Sequence, residues 1–188
     1  MSKNPHILLK KPNSVLKFRI IIFFIFLGIY SLSFQIGAMY EVSSEEANDF
    51  VQEFLSSTQD IDGLGIFFNN ISVSLPMFIP GAGAILGIYS GWSTGFGFAA
   101  IVTMAPALAS IEPLSILYYS PYGIIELVAY SIAMSRSFLV AYLLIKKLNP
   151  KSLIKPSLIE IGIVFVLLII AGFLEEYLIA TAQESAAF

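Results

Sequence analysis

Apolar residues gather into long runs separated by short polar stretches. A helix needs about 20 apolar residues to cross a bilayer. The first run is Ile20 to Met39. The second, Leu64 to about Tyr89, holds no charge at all. A third extends from about Trp92 to Ile111. A fourth, Pro121 to Ile145, is interrupted by Glu126 and Arg136. The fifth, Leu158 to about Ala180, has Glu160 near its start and Glu175–Glu176 near its end. The pattern predicts an all-α fold: a polytopic membrane helix bundle of five transmembrane helices, at about 20–39, 64–89, 92–111, 121–145 and 158–180. These form one membrane domain, 20–180, between a basic tail, 1–19, and an outer tail, 181–188.

Between the first two runs lies Ser-Ser-Glu-Glu-Ala-Asn-Asp-Phe-Val-Gln-Glu-Phe-Leu-Ser-Ser, residues 43–57. Ala47, Phe50, Val51, Phe54 and Leu55 fall on one helical face. Ser43 followed three residues later by Glu46 is a capping box. A short amphipathic helix over 44–57 is expected, either resting on the bilayer and capping the bundle or docking an extracytoplasmic partner.

Charge supplies direction. Lys3, Lys10, Lys11, Lys17 and Arg19 precede the first run, and Lys146, Lys147, Lys151 and Lys155 lie between the fourth and fifth. The 40–63 segment carries seven acids and no base. Lys and Arg stay cytoplasmic during insertion. The N-terminus is therefore expected inside the cell membrane and the C-terminus outside. This requires 64–111 to cross an even number of times, as two short spans or as a re-entrant pair. The first run, with its basic flank, also resembles a signal peptide, but it is too long and lacks a small-residue cleavage site; an uncleaved anchor is expected.

Composition narrows the function. Of 188 residues, 57% are apolar and 12% charged, about half the ~25% charge of a soluble domain. There is no cysteine and one histidine, His6. That removes disulfides, thiolate nucleophiles, histidine triads and haem or zinc sites built on these residues. No enzyme activity, cofactor or metal is expected, and the basic tail reads as a topogenic signal, not a nucleic-acid binder.

Within the runs, small residues recur every four positions: Gly83, Gly87, Gly91 and Gly95, then Ala129, Ala133, Ser137 and Ala141. This spacing lets helix backbones approach, within the bundle or across a homo-oligomer. The glycine series is expected to pass through the turn between the second and third spans, so it would not form one face. Pro76 and Pro80, followed by Gly81, kink or break the second span. Glu126, Arg136 and Glu160 are costly in a bilayer, so each needs a partner, water or a function. An outer-half polar cluster of Asn69, Asn70, Ser74, Tyr122 and Glu126 is expected, together with an Arg136–Glu160 ion pair. Arg136 lies ten residues from Glu126, about 15 Å along a helix, too far to pair with it. The Glu175–Glu176 pair reads as the solvated end of the fifth span.

Phe-Phe-Asn-Asn-Ile-Ser-Val-Ser-Leu at 67–75, a Gly-rich stretch and Ser-Pro-Tyr-Gly-Ile-Ile-Glu at 120–126 carry a resemblance. Over roughly 44–180 the chain resembles the stage II sporulation protein M family of membrane proteins. The family shows an Asn near the start of its second span and a Pro-His-Gly-x-x-Glu motif opening its fourth. Asn70, Pro121, Gly123 and Glu126 match; Tyr122 stands where His is usual. Ser90–Gly91 stands where the family has Asn-Gly in a cytoplasmic turn. The resemblance implies a membrane organiser within a protein complex, and the missing His puts any function that needs it in doubt.

Two functions follow. One is a non-enzymatic membrane scaffold or accessory subunit with a membrane or extracytoplasmic protein partner besides the lipid bilayer. The other is a small transporter or channel component using a broken second span and buried Glu126. A scaffold implies a dry, fully paired polar cluster. A transporter implies a cavity that reaches Glu126 from one side.

Overall fold

A computed structural model describes residues 12–58 and 61–186. Most of the basic tail, with Lys3, His6, Lys10 and Lys11, lies outside the described residues, as do Asp60 and the end of the 181–188 segment. The described residues form seven α-helices and no strand: α1 Pro12–Ala38, α2 Ser44–Thr58, α3 Gly63–Ser74, α4 Ala82–Met104, α5 Pro113–Tyr118, α6 Pro121–Ile145 and α7 Lys151–Ala186. Four of them, α1, α4, α6 and α7, are long and apolar enough to cross a membrane. The chain is a membrane-embedded protein. One end of the bundle carries α2 and is acidic; the other carries Lys17, Lys146, Lys147, Lys151 and Lys155 and is basic.

The second and third apolar runs divide elsewhere than the sequence pattern suggests. The break falls after Ser74, not at 90–91. Leu75 leads into a 3-10 turn, Pro76–Phe78, and the chain reverses at Pro80–Gly81, where Gly81 has φ +80°. Two prolines without backbone donors, and a glycine that alone tolerates that φ, make this the place where a helix must stop. Ser90–Gly91, aligned by resemblance with a turn, lies inside the continuous helix α4. The fifth run is also longer than its apolar core, since α7 begins at Lys151 and carries Pro156 near its start.

This relocation puts Gly83, Gly87, Gly91 and Gly95 on a single helix, all buried. They do form one face. A Cβ on Gly95 would strike the Phe34 carbonyl of α1, and one on Gly91 would press on the Tyr30 carbonyl. Reciprocally, a Cβ on Gly37 of α1 would strike the Trp92 carbonyl. Positions advance together, 30 with 91 and 34 with 95, so α1 and α4 run parallel with their backbones in near contact. The Ser33 hydroxyl donates to the Ile88 carbonyl at 2.6 Å across this seam. Further along, Gly83 faces the Met77 backbone and Gly87 faces the Met134 side chain.

Helix α6 runs through the middle, against α1, α4 and α7. Its small stripe, Ala129, Ala133 and Ser137, is fully buried. The Ser137 hydroxyl donates to the Ile79 carbonyl at 2.5 Å, and Ala141 lies beside Gly81. The stripe thus seats the reversal at Pro80–Gly81. Because Ala141 is one turn from the end of α6, α3 and its 3-10 extension reach nearly to the basic end of the bundle.

Near that end the charges condense. Arg136 donates to Glu160 through Nε at 2.6 Å and through Nη2 at 2.6 Å, joining α6 to α7. Arg19 of α1 donates to the same carboxylate at 2.8 Å, and to the Ser135 hydroxyl at 2.7 Å. Arg19 belongs to the basic flank that the sequence marks only as topogenic. One carboxylate therefore ties three helices, its lone pairs shared by two guanidinium forks.

At the acidic end Ser43 and Glu46 close a capping box, the Ser43 hydroxyl donating to Glu46 Oε2 at 2.8 Å. These bonds hold the Glu46 carboxyl below the usual carboxylate range. Phe50 of α2 packs under Gly97 and edge-on to Phe96 of α4, 5.7 Å between centroids. Helix α2 is thereby docked on α4.

Four outcomes are expected. Gly95→Val, measured by denaturant or thermal unfolding in micelles, should destabilise by about 1–3 kcal/mol or more, since the added bulk meets backbone and not a movable side chain. Gly162→Ala, with open space around its Cβ, should stabilise by a few tenths to about 1 kcal/mol. Glu160→Gln should cost more than Arg136→Gln. The first leaves two buried cations facing each other, a loss on the order of 3–5 kcal/mol; the second leaves Glu160 still held by Arg19. The fourth concerns pH. A carboxyl held low in the fold stabilises the α2 start above its unfolded pKa, and that support is lost as pH falls through the lowered value. Hydrogen exchange of the first α2 amides should quicken there, and Ser43→Ala should remove most of the pH dependence.

Candidate functional site

The start of α6 explains most of the Ser-Pro-Tyr-Gly-Ile-Ile-Glu motif as helix-starting chemistry. The Ser120 hydroxyl accepts from the Gly123 amide at 3.1 Å, as an N-cap does. Pro121 occupies the first turn, where its missing donor costs nothing. Gly123 leaves room for the Ile116 carbonyl of α5, which a Cβ would meet at 2.6 Å. Glu126 is the charged residue of the motif, and helix starting does not account for it.

Glu126 Oε1 accepts a hydrogen bond from the Asn70 amide of α3 at 2.5 Å. Asp62 caps α3, accepting from the Gly65 amide at 2.8 Å, and so sets the register that presents Asn70 inward. The Glu126 Oε2 atom has no partner among the described residues. It borders a cavity of about 1400 Å³ in the acidic-end half of the bundle, partly open to the surroundings. All seven helices contribute to its wall. Beyond the Pro76–Gly81 reversal α3 packs on α7 while α4 packs on α1, and the space between these two pairs remains unfilled.

The predicted polar cluster is split by the structure. Asn70 and Glu126 are brought into contact. Asn69 and Tyr122 line the same cavity without touching Glu126. Asn69 is exposed, with its amide 3.5 Å from Asn70 Oδ1. Ser74 stands apart: it is fully buried, a turn deeper than Asn70, and its hydroxyl donates to the Ile71 carbonyl of its own helix. Local back-bonding of this kind satisfies a serine with no help from the cluster. Arg136 and Glu160 belong to the separate three-helix clasp. Gly83, Ser137 and Ala141 make contacts at the reversal, Gly87 meets Met134, and Ala129 and Ala133 are fully buried on α6.

Several residues of the site carry no local sequence signal. Glu175 and Glu176 are half-buried on the cavity wall and not at a solvated helix end. The neighbouring Gly63 and Gly172 draw α3 against this part of α7 and fold the two acids inward. Tyr30 and Tyr130 face each other at 5.5 Å between ring centroids, also on the cavity wall. Tyr130 lies one helical turn from Glu126, a spacing that could have flagged it. Tyr30 is on another helix, and nothing in its own segment could.

Among the described residues no three His, Asp or Glu side chains converge as metal ligands would. The cavity is lined instead by carboxylates, tyrosines and an amide. The basic-end half is filled by Met77 and Met134, both fully buried, and the clasp lies there too.

Neither the curated proteins nor the solved structures hold a match to this chain. The sequence profile of one family, described as Stage II sporulation protein M, matches residues 18–178. That interval covers most of the chain, from within α1 through the acids of α7, and includes the clasp and Glu126 with most of the cavity wall. The chain belongs to the stage II sporulation protein M family.

Proposed function

We propose that the protein is a small, non-enzymatic transporter or channel component of the cell membrane, with a solute-binding cavity facing the extracytoplasmic side. One observation carries this reading: the cavity of about 1400 Å³ reaches Glu126, whose Oε2 is left without a protein partner. A buried carboxylate in a membrane bundle is retained at high cost, and in a scaffold it would be paired off, as Glu160 is. In this reading the chain crosses the bilayer five times, with α3 and its 3-10 extension as a short second crossing. The N-terminus is cytoplasmic, α2 lies outside the membrane and the C-terminus is extracytoplasmic. The lysines at one end of the bundle and the acids at the other support this orientation.

A second reading is a scaffold or accessory subunit of a membrane complex. It is favoured by the tightly filled basic-end half and by α2, which presents Phe54 and Leu55 exposed. Here the cavity would be a permanent, one-sided feature.

The chain has no cysteine, so single cysteines can report access. Thr94→Cys, on the cavity wall, is expected to react with a membrane-impermeant maleimide in intact cells. Lys147→Cys is expected to react only after the membrane is opened. Transport also requires the closed half to open, so Met77→Cys should label slowly from the cytoplasmic face of inverted vesicles. Complete protection of Met77→Cys, with a stable partner that co-purifies with the wild type and is lost in Glu126→Gln, would move the assignment to the scaffold. Protection of Thr94→Cys from both sides would mean a dry cavity and would end the transport reading.

A further inference from the structure

The cavity has a definite chemical character. Its wall carries three carboxylates, Glu126, Glu175 and Glu176, and no Lys or Arg among the described residues. Its deeper part is aromatic, built on the Tyr30–Tyr130 pair. Tyr130 is only 6% exposed, yet its hydroxyl has no hydrogen-bond partner among the described residues. No side-chain oxygen or nitrogen there is sealed in without a partner, so this hydroxyl opens into the cavity. Tyr130 follows Glu126 by about one helical turn, so the two residues share a face of α6 with their Cα atoms about 6 Å apart along the helix axis, and both line the cavity. Both accept hydrogen bonds, and no cationic donor from the chain reaches them. A missing donor of positive charge is the feature a ligand would supply.

Resting on the binding-cavity reading, we infer that the cavity takes an organic primary-ammonium compound, its –NH3+ group held between the Glu126 carboxylate and the Tyr130 hydroxyl. A primary ammonium has three donors on one centre. It can give one to Glu126 Oε2 and one to the Tyr130 oxygen. The Asn70 amide already occupies Oε1 and fixes the carboxylate for this contact. Glu175 and Glu176, nearer the mouth, draw cations in. The apolar part of the ligand rests on the aromatic wall. Ordinary small-molecule sites span roughly 300–1,000 Å³, so the space accommodates a sizeable amine. A phospholipid head group fits poorly, because its phosphate would meet carboxylates and no counter-charge.

The test uses the purified full chain in maltoside micelles at neutral pH. The probe is radiolabelled benzylamine, present as benzylammonium, followed by equilibrium dialysis. Benzyl alcohol is the neutral competitor of the same size, and phenylacetate the anionic one. Benzylammonium should bind saturably and about tenfold or more tighter than benzyl alcohol, the scale of one charge-assisted hydrogen bond. Phenylacetate should not compete. Glu126→Gln should weaken binding by about tenfold or more on the same scale, and Tyr130→Phe by severalfold, while Glu53→Gln on the exposed face of α2 should leave it unchanged. Thermal midpoints report whether each variant folds. If Glu126→Gln does not, Tyr130→Phe and Glu175→Gln decide. Absence of saturable benzylammonium binding, equal affinity for benzyl alcohol, or binding indifferent to every folded cavity variant would overturn the inference. If Thr94→Cys still labels from outside in that event, the ligand class alone fails; if labelling fails too, so does the cavity reading beneath it.

Discussion

A helix broken within a packed bundle frees backbone groups that must find partners inside the protein. The reversal at Pro76–Gly81 meets that constraint, and the rest of the molecule follows from how it does so. Ile79 offers its carbonyl to two donors, the Gly83 amide of α4 and the Ser137 hydroxyl of α6. Gly81 adopts a φ that only glycine takes without strain. Once the chain is turned there, α4 must travel away from α3. It runs parallel to α1, and Gly91 and Gly95, with Gly37 of α1, bring it close enough to hold by backbone contact. Lipid provides no hydrophobic force between helices, so such close approach, together with hydrogen bonds like Ser33 to Ile88, is what stabilises the seam. The divergence of α3 from α4 is the same event seen from the other side, and it leaves the cavity.

The two intramembrane glutamates show how differently one fold can treat the same group. Glu160 is well partnered: two arginines from two helices donate three hydrogen bonds to it. The clasp ties α1, α6 and α7 together at the basic end. Glu126 receives one amide and faces empty space. Burial with incomplete pairing is unfavourable for folding, and structures retain it where a site needs a group that can still interact. The family motif around Glu126 fits this division. Ser120, Pro121 and Gly123 start and seat the helix, which leaves Glu126 free to serve the cavity. Tyr122 lines the same cavity without touching Glu126.

Much was legible in the sequence for identifiable physical reasons. The length of the apolar runs, the asymmetry of Lys and Arg, the capping box at Ser43–Glu46 and the helix-breaking pair Pro76 and Pro80 all report local or solvent-level physics, which a sequence states directly. The need for Arg136 to find an acid, with Glu160 at a suitable depth, was of the same kind. Where the break fell was not, because Gly91 and Pro80–Gly81 are both plausible turns in isolation. Gly91 remains helical because its missing side chain is filled by the α1 backbone, a contact between residues some sixty positions apart in the chain. The glycine series became a single face only through that choice.

Sequence alone therefore determined that this is an all-helical membrane protein with an acidic and a basic end, no thiol chemistry, a broken helix and charged groups that demand partners. Tertiary structure decided which partners they have. Arg19 joins the clasp because α1 packs beside α6. Glu175 turns toward the cavity because Gly63 and Gly172 draw α3 onto α7. Tyr30 meets Tyr130 because α1 and α6 cross there. None of these pairings has a local signature, since each depends on distances between helices that only backbone packing in the bilayer sets.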